Sequence, residues 1–179
     1  MVAVDETRFG ELYSRHYGRV LSYCARRVGP DQGRDAAADT FLVAWRRLTE
    51  IPGDELPWLL RTAGLVVRDH VRAQRRQDRV VAKAANALPG VIVDHAAQVA
   101  DGTDAEQALS GLSEADRELL MLSAWDDLSP AQIAAVLGCS PATARVRLHR
   151  ARRRLADRIT SLPGHSESLS PAPSPQEIR

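Results

Sequence analysis

Aromatic side chains are scarce in this chain: three Trp, three Tyr and two Phe among 179 residues. A core with so few rings has to be filled mainly by Leu, Val, Ile and Ala, which favours packed helices over a β-sandwich. Cysteine is scarcer still. Cys24 and Cys139 lie far apart and neither belongs to a CxxC or Cys/His spacing, so no metal site is expected and each reads as a buried, reduced thiol. Lysine is nearly missing, Lys83 being the single one, and arginine carries the positive charge. No stretch approaches the ~20 apolar residues of a membrane span. Asp5 and Glu6 interrupt any apolar run near the start. Neither membrane insertion nor a signal peptide is therefore expected, and the location reads as cytoplasmic. There is no Gly-rich phosphate loop, no HExxH and no paired His/Cys set. The histidines (His16, His70, His95, His149, His165) are scattered, and His16 and His70 read as packing residues. No catalytic residue, metal or cofactor is expected, and an enzyme is the least supported class.

What the chain does have is helical pattern and helix punctuation. Hydrophobic residues at 44% and charged residues at 26% fit a globular protein of one middling or two small domains. Phe9, Leu12, Tyr13, His16, Val20 and Tyr23 recur at spacings of three and four and end at Gly29-Pro30, a stop signal. A second helix is expected from Asp31 to Thr49, with Ala36, Thr40, Val43, Ala44 and Leu48 on one side. After the turn "IPGDELP", a third is expected from Trp58 to Arg79. The pattern then weakens over 80–105, which contains Pro89-Gly90 and Gly102 and reads as a linker with a short helix around Val80 to Leu88. A second helical block occupies 106–160, and the Ser/Pro-rich 161–179 reads as a disordered tail. The expected fold is all-α, with two small helical domains (1–79 and 106–160) joined by a flexible linker.

The second block is punctuated closely. In "LSPAQI", Ser129 is an N-cap, Pro130 takes the first helical position and Gln132 the third, making a capping box, and Leu128 can staple onto Ile133. That helix stops at Gly138, where a left-handed residue is wanted. Ser140 then caps the next helix, with Pro141 at its first position. Two capped helices joined by a tight glycine turn make a helix-turn-helix. Ser113 caps a helix before them.

Between Thr143 and Leu155 stand seven arginines or histidines and no acid. A basic amphipathic helix alone fits a solvated face, a membrane-surface helix or a partner helix. Its arrangement narrows the choice. At about 100° per residue, Ala144, Leu148, Ala151 and Leu155 form the packing stripe. Opposite lie Ala142, Val146, His149, Arg150 and Arg153, with Arg145 and Arg152 on one flank and Thr143, Arg147 and Arg154 on the other. A helix in a major groove needs small, readable side chains in the middle and cations along both edges. Glu114, Asp116, Glu118, Asp126 and Asp127 lie outside this helix, so its near-neutral domain is polarised. The third helix carries a second stripe: Arg61, Arg68, Arg72, Arg75 and Arg79 at offsets of 7, 11, 14 and 18, with Leu60, Ala63, Val67, Val71 and Gln74 on another face about a third of a turn away. Trp58, at its start, fits either the core or a stack on an exposed base.

These residues carry a resemblance. The chain resembles a bacterial RNA polymerase sigma factor of the extracytoplasmic-function type, in the sigma-70 family, over residues 9–79 and 106–159. "RDAAADTFLVAWRRL" resembles the helix that docks on the polymerase clamp, and "PWLLRTAGLVVRDHVRAQRR" the −10 melting and recognition segment. "LSEADRELLMLSAWDDLSPAQIAAVLGCSPATARVRLHRARRRL" is similar, element by element, to the −35-binding domain. The resemblance implies a non-enzymatic specificity subunit with core RNA polymerase (clamp and flap) and promoter DNA as partners, and an anti-sigma protein as a further partner class. It places Asp35 and Asp39 on the clamp. It places Trp58, Arg61, Leu65, Arg68, Arg72, Arg75 and Arg76 at the −10 element. At the −35 element it places Ser140, Ala142, Thr143, Arg145, Val146, Arg147, His149, Arg150 and Arg153. Four positions depart from the pattern. Gly64-Leu65 stands where the family has Arg-Asn, which weakens or alters −10 reading and costs ~1 kcal/mol of helix propensity. Ala38 replaces a usual Gln. Val146 stands where a small polar residue is common, and would meet a thymine methyl. The alternative is a stand-alone helix-turn-helix regulator whose first block senses or dimerises.

Overall fold

The computed structural model describes residues 2–86, 109 and 111–161. Most of the expected linker and the Ser/Pro tail lie outside these residues. All regular structure among them is helical.

Three helices form the first unit: α1 (Val2–Val28), α2 (Pro30–Arg46) and α3 (Glu55–Asn86), with a single 3-10 turn at Leu48–Glu50 before α3. Gly29 separates α1 from α2 with φ of 83°, a conformation glycine adopts at little cost, and Pro30 opens α2. The two helices run so close that a β-carbon on Gly33 would meet the Ala25 Cα at 2.6 Å. Leu12, Val20 and Cys24 of α1, Ala36, Ala37 and Phe41 of α2, and Leu59, Leu60 and Ala63 of α3 are buried together. Burying each large aliphatic side chain contributes roughly 1.5–3 kcal/mol. Thr40 is accommodated in this core because its hydroxyl donates to the Ala36 carbonyl at 2.7 Å. The few aromatics are not spread evenly. Phe9, Tyr13, Tyr17, Phe41 and Trp45 gather on one side of α1 and α2, with ring centroids 4.8–6.3 Å apart.

The third helix is longer than its sequence pattern suggests. The short helix expected near the start of the linker is continuous with it, and α3 runs unbroken past Arg79 to Asn86. Arg, Ala and Lys in "DRVVAKAAN" are good helix formers, and the first proline comes only at Pro89.

The second unit comprises α4 (Glu114–Ala124), α5 (Pro130–Leu137) and α6 (Pro141–Ser161). Its punctuation is as expected. Ser113 accepts from the Asp116 N–H, and Ser129 and Gln132 form a reciprocal capping box. Gly138 is left-handed with φ of 66°, and the Ser140 hydroxyl accepts from the Thr143 N–H at 3.1 Å. Leu128 and Ile133 are both buried at the entry of α5. This unit is seated on the first, with α5 against α3 and the α4–α5 connection against α1. No described helix is long and apolar enough to cross a membrane.

Candidate nucleic-acid interface

Helix α6 closes the helix-turn-helix and presents its faces as the spacing requires. Ala144, Leu148 and Ala151 are buried and Leu155 is half-buried. Ala142, Val146, His149, Arg150 and Arg153 are exposed, and half of the Val146 surface is open. Thr143 is half-buried, its hydroxyl 2.8 Å from that of Ser140. Arg145 and Arg147 are exposed along the two edges. Neither of these, nor Arg150 or Arg153, has an ion-pair partner among the described residues, so all four guanidinium groups are free for phosphate.

Two other arginines of α6 have a different task. Arg154 forms an ion pair with Asp116 at 2.8 Å, and Arg152 donates to the Ser123 hydroxyl at 2.9 Å. Both reach back to α4 and fix the angle at which α6 stands on its domain. The sequence puts them on the flanks; the fold turns them inward because α4 offers acceptors there.

On α3 the arginine stripe is exposed from Arg68 through Arg79. Arg68 bonds back to the Gly64 carbonyl at 3.2 Å, and Arg72 lies 3.7 Å from Asp69. Arg75 and Arg76 are exposed without an ion-pair partner among the described residues. Leu65 is about half-exposed, just before Arg68 at the margin of this face. Trp58 is half-buried and packs against the core, with the Arg47 guanidinium 5.9 Å from its ring. Arg61 departs from the stripe. Its guanidinium donates to the Ala135 carbonyl at 3.3 Å, at the C-terminal end of α5, where backbone carbonyls lack helical partners and attract a cation.

Helix α2 exposes Asp35, Ala38, Asp39, Leu42 and Trp45. Asp39 accepts from or pairs with His70 of α3 at 2.8 Å, so His70 has a polar partner in place of the packing role the sequence suggests. Leu42 and Trp45, each more than two-fifths exposed, adjoin the carboxylates and extend that face with apolar surface. Sequence spacing could have found Leu42, which follows Asp35 by seven residues and Asp39 by three. His16, the other histidine read as packing, is buried and sits 2.9 Å from Glu55. Cys24 is a buried thiol, and desolvation pushes its pKa up to about 11; Cys139 is only half-buried.

A further set of polar contacts joins the two units and has no signature in local spacing. Arg27 holds Glu118 through Nε at 3.0 Å and Nη2 at 2.6 Å, Tyr23 donates to Glu118 at 3.0 Å, and Arg26 pairs with Asp126 at 2.5 Å. Arg19 donates to the Asp126 carbonyl. The Tyr23 pKa is raised, first by burial and then by the neighbouring Glu118 carboxylate, so its hydroxyl stays protonated and able to donate.

Comparison with known proteins follows the same division of the chain. Residues 12–77 match the family model for sigma-70 region 2, and residues 103–155 that for sigma-70 region 4. The RNA polymerase sigma factor NccH of Alcaligenes xylosoxydans is 30% identical over 88% of this chain and 89% of its own length. The chain belongs to the sigma-70 family of RNA polymerase sigma factors, extracytoplasmic-function type. A probable RNA polymerase sigma factor, RfaY of Xanthomonas campestris, is 32% identical over 76% of this sigma factor, which spans only 38% of that relative's length. A solved structure of CnrH in complex with the cytosolic domain of CnrY is 29% identical, with a TM-score of 0.57, and the match covers 86% of this chain and 88% of that one. The first unit of this sigma factor is thus region 2 and the second is region 4.

Proposed function

We propose that this sigma factor binds core RNA polymerase through the exposed face of α2, holds the −10 element along α3, and inserts α6 into the major groove at the −35 element. The observation that carries this is the exposed row Ala142, Val146 and His149, edged by unpaired arginines, on the second helix of a helix-turn-helix. On this basis Val146 and His149 read base edges, while Arg145, Arg147, Arg150 and Arg153 hold phosphates and Ser140 and Thr143 set the start of the helix. Along α3, Arg68, Arg72, Arg75 and Arg76 track the −10 strand, with Leu65 facing it where the family has Asn. Asp35 and Asp39 meet the basic polymerase clamp, and Leu42 and Trp45 add apolar contact beside them. Region 4 would sit near the flap. No catalytic step is assigned, and the site of action is the cytoplasm, with the polymerase. A regulatory protein of the anti-sigma kind is a further partner, as CnrH is seated with a second protein in its solved complex.

The test is to mix the purified chain with core polymerase and assay promoter-dependent transcription. Transcripts that need both proteins and a −10/−35 promoter are expected. A chain that binds duplex DNA tightly alone and leaves core polymerase unchanged would instead be a stand-alone helix-turn-helix regulator.

A further inference from the structure

Arginines on the two flanks of α6 recur seven residues apart, and the fold treats the two members of each pair differently. Seven residues make two turns, so Arg145 and Arg152 share one edge and Arg147 and Arg154 the other. Members of a pair stand about 10 Å apart along the helix axis. The first of each, Arg145 and Arg147, is exposed with no ion-pair partner among the described residues. The second is tied down. Arg154 Nη1 donates to both Asp116 carboxylate oxygens, at 2.8 and 2.9 Å, and Arg152 donates to the Ser123 hydroxyl at 2.9 Å. Asp116 and Ser123 are themselves seven residues apart on α4, so one face of that helix supplies both acceptors.

These contacts do more than fix the angle of α6. Its buried row of Ala144, Leu148 and Ala151 already seats it on the domain. The Arg154 side chain is 56% exposed in its pair, so water screens the attraction and little stability comes from it. Ser123 is a neutral acceptor and holds its arginine more weakly still. The larger effect is on the charge offered to DNA. Sequence-independent affinity grows with the number of phosphates a protein neutralises, whereas discrimination comes from base edges. With all its flank arginines loose, α6 would grip the backbone of any duplex over twice the length.

We propose that Asp116 and Ser123 are specificity-determining residues. They withhold Arg154 and Arg152 from the DNA backbone and confine the grip along both edges to the first turns of α6. Binding then depends on the base-facing Val146 and His149. This rests on the reading of α6 as the −35 recognition helix.

The experiment uses holoenzyme assembled from core polymerase and the full chain. A promoter duplex is selected from a random pool with the wild-type protein, and binding is measured with its −35 element intact or scrambled, at several salt concentrations. Arg147→Ala should make the dependence of log K on log salt shallower by about 0.9, and Arg154→Ala should leave it unchanged. Asp116→Asn should steepen it by about 0.9, strengthen binding to the scrambled promoter several-fold, and narrow the preference for the intact one by a similar factor. Adding Arg154→Ala to Asp116→Asn should restore both values. A loss of preference that persists in the double variant would come from a displaced helix and would overturn withholding. Glu114→Gln removes the same charge from an exposed position in the same turn of α4, and should leave the preference near that of wild type. An equal effect there would reduce the result to net charge and overturn the proposal. Circular dichroism checks folding, and Ser123→Ala carries the test on the other flank should Asp116→Asn unfold region 4. If Arg154→Ala lowers the salt dependence as Arg147→Ala does, Arg154 already touches DNA and withholding fails while the −35 reading stands. If Arg147→Ala has no effect and the wild type ignores the −35 element, that reading fails and takes this proposal with it.

Discussion

His70 of α3 and Asp39 of α2 meet at 2.8 Å, across the rim between the helix proposed to hold the −10 strand and the helix proposed to face polymerase. Asp39 is more than half exposed, so the pair is solvent-screened and worth at most about 1 kcal/mol of stability. Its carboxylate is therefore available to a partner. Asp39→Ala should weaken binding to core polymerase about tenfold, or ~1.4 kcal/mol, while the melting temperature moves by only a few degrees. Fluorescence anisotropy against core polymerase and a thermal melt decide it. A lower melting temperature with unchanged affinity would make Asp39 only a tether for His70.

On α6, edge and centre should separate. Arg147→Ala is expected to weaken binding to all −35 sequences alike and to reduce the slope of log K against log salt by about one. Val146→Ala or His149→Ala should instead change which sequence is preferred, with each altered base step worth roughly 1–3 kcal/mol. Binding to a panel of −35 duplexes at several salt concentrations separates them. Equal losses on every sequence from all three substitutions would remove Val146 and His149 from base reading.

Gly138 is held twice: by its left-handed φ of 66°, and by Arg61, whose Nη1 lies 2.7 Å from where a β-carbon would stand. Gly138→Ala should cost roughly 1–2 kcal/mol and lower the melting temperature of region 4 by several degrees. The same substitution should displace Arg61 from the α5 carbonyls. Chemical denaturation followed at Trp125 reports the first effect, and no change in midpoint would contradict it.

The two thiols should differ in reactivity. With a pKa raised to about 11 by burial, roughly one Cys24 side chain in a thousand is thiolate at pH 8, and none of its surface is open. Cys139, half-buried at the helix-turn-helix, should react first with a thiol reagent, and Cys24 only as region 2 unfolds. Mass spectrometry after timed labelling reads the order. Early labelling of Cys24 would contradict the packing of α1 against α2.

The helix-turn-helix was legible because its determinants are local. Ser129 with Gln132, Gly138, and Ser140 with Pro141 act within a few residues of one another, and the 100° step then fixes which side of α6 is buried. The arginine stripe on α3 was legible for the same reason, but not the diversion of Arg61, because its acceptor on Ala135 is 74 positions away. Tyr23 and Glu118, 95 positions apart, form a pair that no spacing rule connects. Gly64 was conspicuous in sequence as a missing side chain; the fold adds that the Tyr23 hydroxyl lies in that space. The C-terminal end of α3 was misjudged because a weak apolar pattern reads as linker, whereas an exposed helix needs only good propensity and no proline.

That extension of α3 changes the arithmetic of encounter between the two regions. Seven residues beyond Arg79 advance the chain about 1.5 Å each as helix, against roughly 3.3 Å each if extended. The stretch between the two units that lies outside the helices therefore begins only after Asn86, later than the sequence pattern suggests. A shorter flexible tether confines its two ends to a smaller volume, with effective concentrations that reach the millimolar range. Contacts too weak to join two separate molecules can still hold region 4 on region 2 under such confinement.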